Sequence, residues 1–215
     1  MTESAPQQPE VHQVRANGPF DESEAVFEGI NRVDLGALLI AVAPGVELQV
    51  QADQASGRIA QLTLKDGPSG MQIHPYAARK SGGMWEEVRA QIKKSINDTG
   101  GLVEETAGPW GIELNAQIQA QGENPGLQPA RFVGIDGPRW FLRAVFLGKA
   151  ARDPEAARRL TESLQSAVVI RGSQAMAPGA PLILTLPRPV DPQDNPSGPQ
   201  LPNPFERGPE ITEIR

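Results

Sequence analysis

Residues 137–148 read GPRWFLRAVFLG, and this stretch decides the fold class. A Gly-Pro turn is followed by a segment that is apolar at both odd and even positions. Its charged residues are Arg139, at the start, and Arg143. Such a strand belongs at the centre of a sheet, where other elements cover both faces. We therefore expect residues 139–147 to form a central strand.

The segments on either side of this stretch alternate between apolar and polar residues, which predicts half-buried strands. These segments are residues 46–52, 58–65, 102–106, 110–118 and 130–135, with a short strand around Met71 and Ile73 and a closing one at 168–171. Residues 182–186 lie between two prolines and could add an edge strand. The sequence is thus dominated by strands.

Two segments have helical periodicity instead. Apolar residues recur at spacings of three and four from Trp85 to Asp98, which predicts an amphipathic helix with Trp85 in the core. Asp153 followed by Pro154 is an N-cap with proline at the first helical position, and it predicts a second helix. We expect an α+β fold: a mostly antiparallel sheet with two helices packed on it, most simply on one face, in the rough order β-β-β-α-β-β-β-α-β.

The distribution of proline and charge sets the domain boundaries. Ten of the 21 prolines follow residue 172, and residues 1–28 carry six acidic side chains against one basic. We expect a disordered acidic N-terminal arm (1–19), a single α+β domain (20–186) and a Pro-rich flexible C-terminal tail (187–215). Residues 1–28 carry a net charge of −5 and residues 187–215 a net charge of −2, so the stretch between them is near neutral and shows no basic stripe for nucleic acid.

Composition also limits the location and the chemistry. The chain has no cysteine, its N-terminus has no secretory pattern, and its longest apolar stretch is too short for a membrane span. These features predict a cytoplasmic protein. The two histidines, His12 and His74, are too few for a metal site or a Ser-His-Asp triad. We expect no enzyme activity, no metal and no cofactor, and we expect Glu104, Glu105, Glu113 and Asp136 to be solvated surface acids.

Two arginines in a central strand are the unusual feature. Alternation places Arg139 and Arg143 on one face and Trp140 on the other. A partly buried Arg143 must find a partner, either a carboxylate such as Glu113 or Asp34 or a bound anion. The candidate ligand-binding residues are Arg139, Trp140, Arg143 and Arg131. A two-residue turn at Gly137-Pro138 would put Arg131 on the face opposite Arg143.

Phe20 and Phe27 lie among acidic residues near the N-terminus. Aromatic residues flanked by acids occur in solvated linkers and also in short docking motifs. They are the candidate partner-binding residues.

The motifs GPFDESE, RVDLGALLI, WEEVR, QPARF and DGPRWFLRAVFLG together resemble an uncharacterised actinobacterial family defined as a domain of unknown function, over residues 18–186. The resemblance implies a cytosolic actinobacterial protein and supplies no catalytic residues. In its order of elements the chain is also similar to the PsbP/Mog-type α+β sandwich, a binding and adaptor fold.

Two functions fit these features. The first is a non-enzymatic protein-interaction or adaptor module that binds a protein partner. The alternative is a small-molecule or anion-binding domain that uses the Arg/Trp strand. A hydrolase or a nucleic-acid binder ranks behind both, and the sequence leaves the partner and the oligomeric state open.

Overall fold

The computed structural model describes residues 17–25, 29–53, 55–56, 58–120 and 126–186. Within these residues the chain forms one large sheet, one small sheet and two helices. The α+β prediction is therefore confirmed. No helix in the described ranges is both long enough and apolar enough to cross a membrane.

The large sheet is antiparallel throughout and contains seven of the described strands. In spatial order they are β4 (Glu47–Ala52), β5 (Ile59–Asp66), β6 (Ser69–Ala77), β10 (Trp140–Gly148), β9 (Gly126–Gly137), β8 (Gly111–Ala120) and β7 (Leu102–Gly108). Strand β10 lies at the middle, paired with β6 on one side and β9 on the other. Its central position is as predicted, because both of its faces are apolar.

The small sheet joins the two ends of the described chain. Its strands, in spatial order, are β1 (Phe20–Asp21), β11 (Val168–Val169), β3 (Leu38–Ile40) and β2 (Val33–Asp34). Strand β1 runs parallel to β11, and the other neighbours are antiparallel. The small sheet thus pairs the first described strand with the last.

Residues 181–186 connect the two sheets without forming a regular strand. The backbone N–H of Ile59 donates to Leu184 O at 2.8 Å, and Leu182 N–H donates to Pro75 O at 3.0 Å. Thr185 N–H donates to Leu35 O at 3.0 Å. The segment therefore bonds to the loop before β3 as well as to β5 and β6.

The two helices pack on opposite faces of the large sheet. Helix α1 (Met84–Asp98) places Trp85 against Phe141, whereas α2 (Pro154–Ser166) places Leu160 in the core that contains Leu142. Neighbouring residues of a strand point to opposite faces. The expectation that both helices cover one face was wrong, because each apolar face of β10 needs its own cover.

These contacts define two faces of the large sheet. The α2 face carries Trp140, Leu142, Ala144 and Phe146 of β10, and the α1 face carries Phe141, Arg143 and Val145.

The expected order of elements counted three strands between the helices. Among the described residues there are four, since β7, β8, β9 and β10 each form separately.

Helix α1 is fixed to the sheet by residues of other strands. Its N-cap residue, Gly83, has no side chain to cap it, and Asp136 Oδ1 of β9 accepts from Met84 N at 3.1 Å and Trp85 N at 3.3 Å. The Trp85 indole lies on Gly134, and its Nε1 donates to Ile112 O at 2.5 Å. Asp136 therefore caps the N-terminus of α1, and the expectation that it is a solvated surface acid was wrong.

The N-terminal boundary of the fold lies slightly before the predicted one. Gly18 and Pro19 are buried, and Trp110 Nε1 donates to Gly18 O at 2.8 Å. These two residues belong to the predicted arm, yet they contact the domain. The rest of the predicted arm, residues 1–16, and the predicted tail, 187–215, lie outside the described residues.

Candidate functional site

The four candidate ligand-binding residues do not form one site. In the pairing of β9 with β10, Arg143 lies opposite Gly134 and Arg131 lies opposite Phe146. Arg131 is therefore on the α2 face and Arg143 on the α1 face. The sequence left the face of Arg131 to the strand register; the two turn residues are Pro138 and Arg139, one position later than the turn considered, and this register also puts the two arginines on opposite faces.

Trp140 is a core residue that joins the two sheets. It is fully buried, and its indole Nε1 donates to Asp21 Oδ2 at 2.9 Å. Asp21 belongs to β1 and is itself buried, with Oδ1 accepting from the hydroxyl of Ser23 at 2.6 Å. A side chain enclosed in this way is not available to a ligand from solution.

Arg139 has a backbone role in the turn. It is exposed and adopts a left-handed conformation with φ of 62°. Its carbonyl oxygen accepts from Ala78 N at 2.8 Å and from Arg171 Nε at 3.1 Å. The turn thus holds the start of β10 against the segments that follow β6 and β11.

A groove of about 800 Å³ lies on the α2 face at the far side of the sheet. Strands β7, β8 and β9 form its floor, and the corner that leads into α2 forms its wall. The polar floor residues are Glu104, Thr106, Glu113, Asn115, Gln117 and Arg131, and the wall residues are Ala150, Ala151, Arg152 and Pro154. Of the four candidate ligand-binding residues, only Arg131 lines this groove.

Arg131 is fixed from two sides. Its Nη1 donates to Glu113 Oε2 at 3.0 Å, and its guanidinium carbon lies 4.1 Å from the centre of the Phe146 ring. Only 17% of the side chain is exposed. No described residue accepts a hydrogen bond from its Nε or Nη2, and neither atom is buried. The guanidinium therefore keeps donors that a ligand in the groove can reach.

Glu113 is the buried partner of this pair. Its side chain is 4% exposed, and Oε1 is buried with no hydrogen-bond partner among the described residues. The carboxyl group packs on Gly108, where a Cβ atom would lie 2.1 Å from Glu113 Cδ. The expectation of a solvated surface acid was wrong here, because neighbouring groups enclose this side chain.

Burial also shifts the pKa of Glu113. Removal from water raises the pKa of its carboxyl group, because the charged form loses hydration, and the ion pair with Arg131 opposes this rise. The net direction is upward. The site is therefore a guanidinium held by an almost fully buried carboxyl group in the floor of the groove.

Arg143 has neither of the expected partners. Glu113 is on the other face with Arg131, and Asp34 Oδ1 accepts from Gly36 N at 2.8 Å. Arg143 forms no ion pair with any described residue, and its Nε is buried without a hydrogen-bond partner. Its guanidinium carbon lies 5.5 Å from the centre of the Tyr76 ring. The expected ion pairs were wrong because strand register places Glu113 on the other face and Asp34 belongs to the small sheet.

The two candidate partner-binding residues have different positions. Phe20 is half-buried in β1, and its backbone N–H donates to Ala167 O at 2.8 Å. Phe27 lies outside the described residues. Docking through these aromatic residues stays a prediction.

Within the described ranges, no three His, Asp or Glu side chains are grouped so that they could hold a metal ion.

The comparison with protein families identifies the chain. The family described as "Protein of unknown function (DUF3710)" matches residues 18–193. The chain belongs to this family. The DUF3710 match spans both sheets, the groove and Arg143, so these features lie inside the shared domain. No curated protein and no solved structure matches the chain. The likeness to a PsbP/Mog-type sandwich stays a prediction from the order of elements.

Proposed function

We propose that this DUF3710 chain is a non-enzymatic interaction module that binds a carboxylate-bearing segment of a partner protein in the groove. One observation carries the proposal: Arg131 is fixed by Glu113 and Phe146, while its Nε and Nη2 have no partner in the described residues. Guanidinium groups bind carboxylates through two parallel hydrogen bonds. The family resemblance and the absence of cysteine support action in the actinobacterial cytosol.

The fixed position of Arg131 favours binding. A free arginine loses side-chain freedom when it binds, and this loss weakens the complex. Here the Phe146 ring and the Glu113 carboxylate already hold the guanidinium before a ligand arrives. The hidden carboxylate also offsets the charge of Arg131 without occupying the donors that face the groove.

The shape of the groove supports an extended segment as ligand. Its lining follows β7 from Leu102 to Pro109, and β7 is the last strand of the sheet among the described residues. An extended chain can add to such an edge by main-chain hydrogen bonds. Leu102 is 65% exposed at one end of β7 and offers an apolar contact.

The arrangement of acids in the groove supports binding in place of catalysis. General acid–base catalysis needs a group within hydrogen-bond reach of the substrate. Glu113 is enclosed, and its Oε2 is held by Arg131. The other carboxylate of the lining, Glu104, is exposed on the edge strand. This arrangement supports a binding role, and the proposal includes no cofactor.

A small carboxylate molecule is the second candidate ligand. The groove volume of about 800 Å³ lies within the range of small-molecule sites. Such a ligand would use Arg131 but not the edge of β7. Hydrogen exchange therefore separates the two cases, because only an added strand protects the backbone amides of β7.

The test compares capture of partner proteins by the full chain and by two variants. Because removal of Arg131 alone would leave Glu113 buried without its cation, the groove variant combines Arg131→Gln with Glu113→Gln. Arg158→Gln, on the exposed side of α2, is the control for loss of an arginine. We expect a partner captured from a lysate of the source organism to be lost from the groove variant and retained by the control.

Two results would count against the proposal. A partner retained equally by all three proteins would place binding elsewhere, for example on the tails. Bound partner without added protection of β7 would refute strand addition. If no protein is captured, saturable binding of free glutamate that the groove variant lacks would favour the small-molecule ligand.

A further inference from the structure

We infer that Arg143, with Tyr76 and His74, forms an oxyanion-binding site on the α1 face of the large sheet. This site is separate from the groove, which lies on the α2 face. The ligand class is a phosphate or a carboxylate, since both offer two oxygens to one guanidinium. The inference therefore goes beyond the proposed function.

The strand register brings the three side chains together. Arg143 of β10 lies directly opposite His74 of β6, and Tyr76 lies two residues further along β6 on the same face. The guanidinium carbon of Arg143 is 5.5 Å from the Tyr76 ring centre, and the rings of Tyr76 and His74 are 6.3 Å apart. His74 Nε2 lies 3.1 Å from Ala60 O, which orients the imidazole.

The donors of Arg143 are free to bind. Its Nη1 and Nη2 have no hydrogen-bond partner among the described residues and are not buried, whereas Nε is buried and unpartnered. A half-buried charge without a partner is unfavourable. An oxyanion bound to Nη1 and Nη2 would supply the missing negative charge.

No carboxylate of the described chain neutralises this arginine. Asp136 of β9 shares this face and accepts hydrogen bonds from Met84 N and Trp85 N at the start of α1. Glu47 and Lys65 lie opposite each other at the distant β4–β5 side. In the loop before α1, Arg79 is paired with Glu87. Arg143 itself therefore has no ion-pair partner among the described residues, and a guanidinium without a partner favours an anion over a cation.

The surface around Arg143 is open on one side. Trp85 of α1 covers Gly134, the residue opposite Arg143 in β9. On the other side the face carries polar side chains that are half-buried or exposed: Gln49, Gln51, Gln61, Thr63 and Gln72. An anion can approach Arg143 from this side, and the Tyr76 ring makes a cation–π contact with the guanidinium.

Titration calorimetry of the full chain tests the site with inorganic phosphate and with acetate at constant ionic strength. Arg143→Gln should weaken binding of the preferred probe by about 10- to 100-fold, because charge-assisted hydrogen bonds are lost. Arg139→Gln removes the same charge from an exposed position four residues away and should leave binding unchanged. The ratio of phosphate to acetate affinity identifies the oxyanion.

Further variants keep the test decisive. Arg143→Lys retains the charge but not the two-pronged geometry and should also weaken binding, which covers the case in which Arg143→Gln folds poorly. The substitutions at positions 143 and 139 are also measured in the groove variant, Arg131→Gln with Glu113→Gln, so that a probe bound at Arg131 does not contribute and failure of the proposed function does not affect this result. The inference is overturned if the wild type binds neither probe, or if Arg139→Gln weakens binding as much as Arg143→Gln.

Discussion

Replacement of Gly134 by alanine tests how α1 is seated on the sheet. A Cβ atom at position 134 would lie 2.1 Å from Trp85 Cδ2 and 2.2 Å from Cε3. Carbon atoms in contact normally lie about 3.5–4.0 Å apart. The indole would therefore have to move by roughly 1.5 Å, and α1 with it.

The cost follows from what the indole would lose. Overpacking of a filled core costs about 1–3 kcal/mol. Displacement would also strain the hydrogen bond from Trp85 Nε1 to Ile112 O, at about 1 kcal/mol, and the stacking on Phe141 at 6.1 Å. We expect Gly134→Ala to lower the free energy of unfolding by roughly 3–5 kcal/mol, or roughly 6–20 °C in Tm.

Gly70→Ala is the matched control. Gly70 lies in β6, on the α1 face like Gly134, yet the atom nearest to an added Cβ is Leu64 O at 3.8 Å. This substitution should change stability by less than about 1 kcal/mol. Urea unfolding followed by tryptophan fluorescence measures both variants. Equal stabilities for Gly134→Ala and Gly70→Ala, with unchanged tryptophan emission, would refute the close seating of Trp85.

Three further predictions concern polar groups. Burial raises the pKa of Glu113, so the protonated form of this group favours folding. Its contribution to the free energy of unfolding is therefore lost as pH rises through the raised pKa. Glu113→Gln should lack this decline in stability when urea unfolding is measured from acidic to neutral pH. Asp136→Ala should cost about 1 kcal/mol and lower α1 helicity by circular dichroism, since it removes the cap. Trp140→Phe should cost about 2–4 kcal/mol in thermal unfolding because Asp21 loses a buried donor, whereas Trp110→Phe, which loses a bond to a neutral carbonyl, should cost about 1 kcal/mol.

Local patterns in the sequence were sufficient for the elements. The stripe from Met84 to Ile96 predicted α1, and Asp153 with Pro154 predicted the start of α2, because helical period and capping depend on neighbours in the chain. The two apolar faces of residues 139–147 likewise predicted the central strand. Such signals need no knowledge of distant residues.

The site depended on contacts between distant residues, and the sequence could not supply them. Glu113 occupies the polar side of an alternating strand, which resembles a solvated position, yet Arg131 and Gly108 enclose it. Glu113 failed as a partner of Arg143 because the pairing of β8, β9 and β10 decides which face each group shares, and Asp34 failed because it belongs to the small sheet. A left-handed Arg139 sets that pairing, and nothing in the identity of an arginine predicts positive φ.

The bonds made by residues 181–186 bear on how the chain is synthesised. This segment accepts a backbone hydrogen bond from Ile59 and donates backbone hydrogen bonds to Leu35 and Pro75. These three residues leave the ribosome more than 100 residues earlier. At about 5–20 residues per second, that interval lasts roughly 5–30 s. During this time the backbone groups that will bond to residues 181–186 have no partner from that segment, so the early strands of the nascent chain are exposed to pairing with other chains.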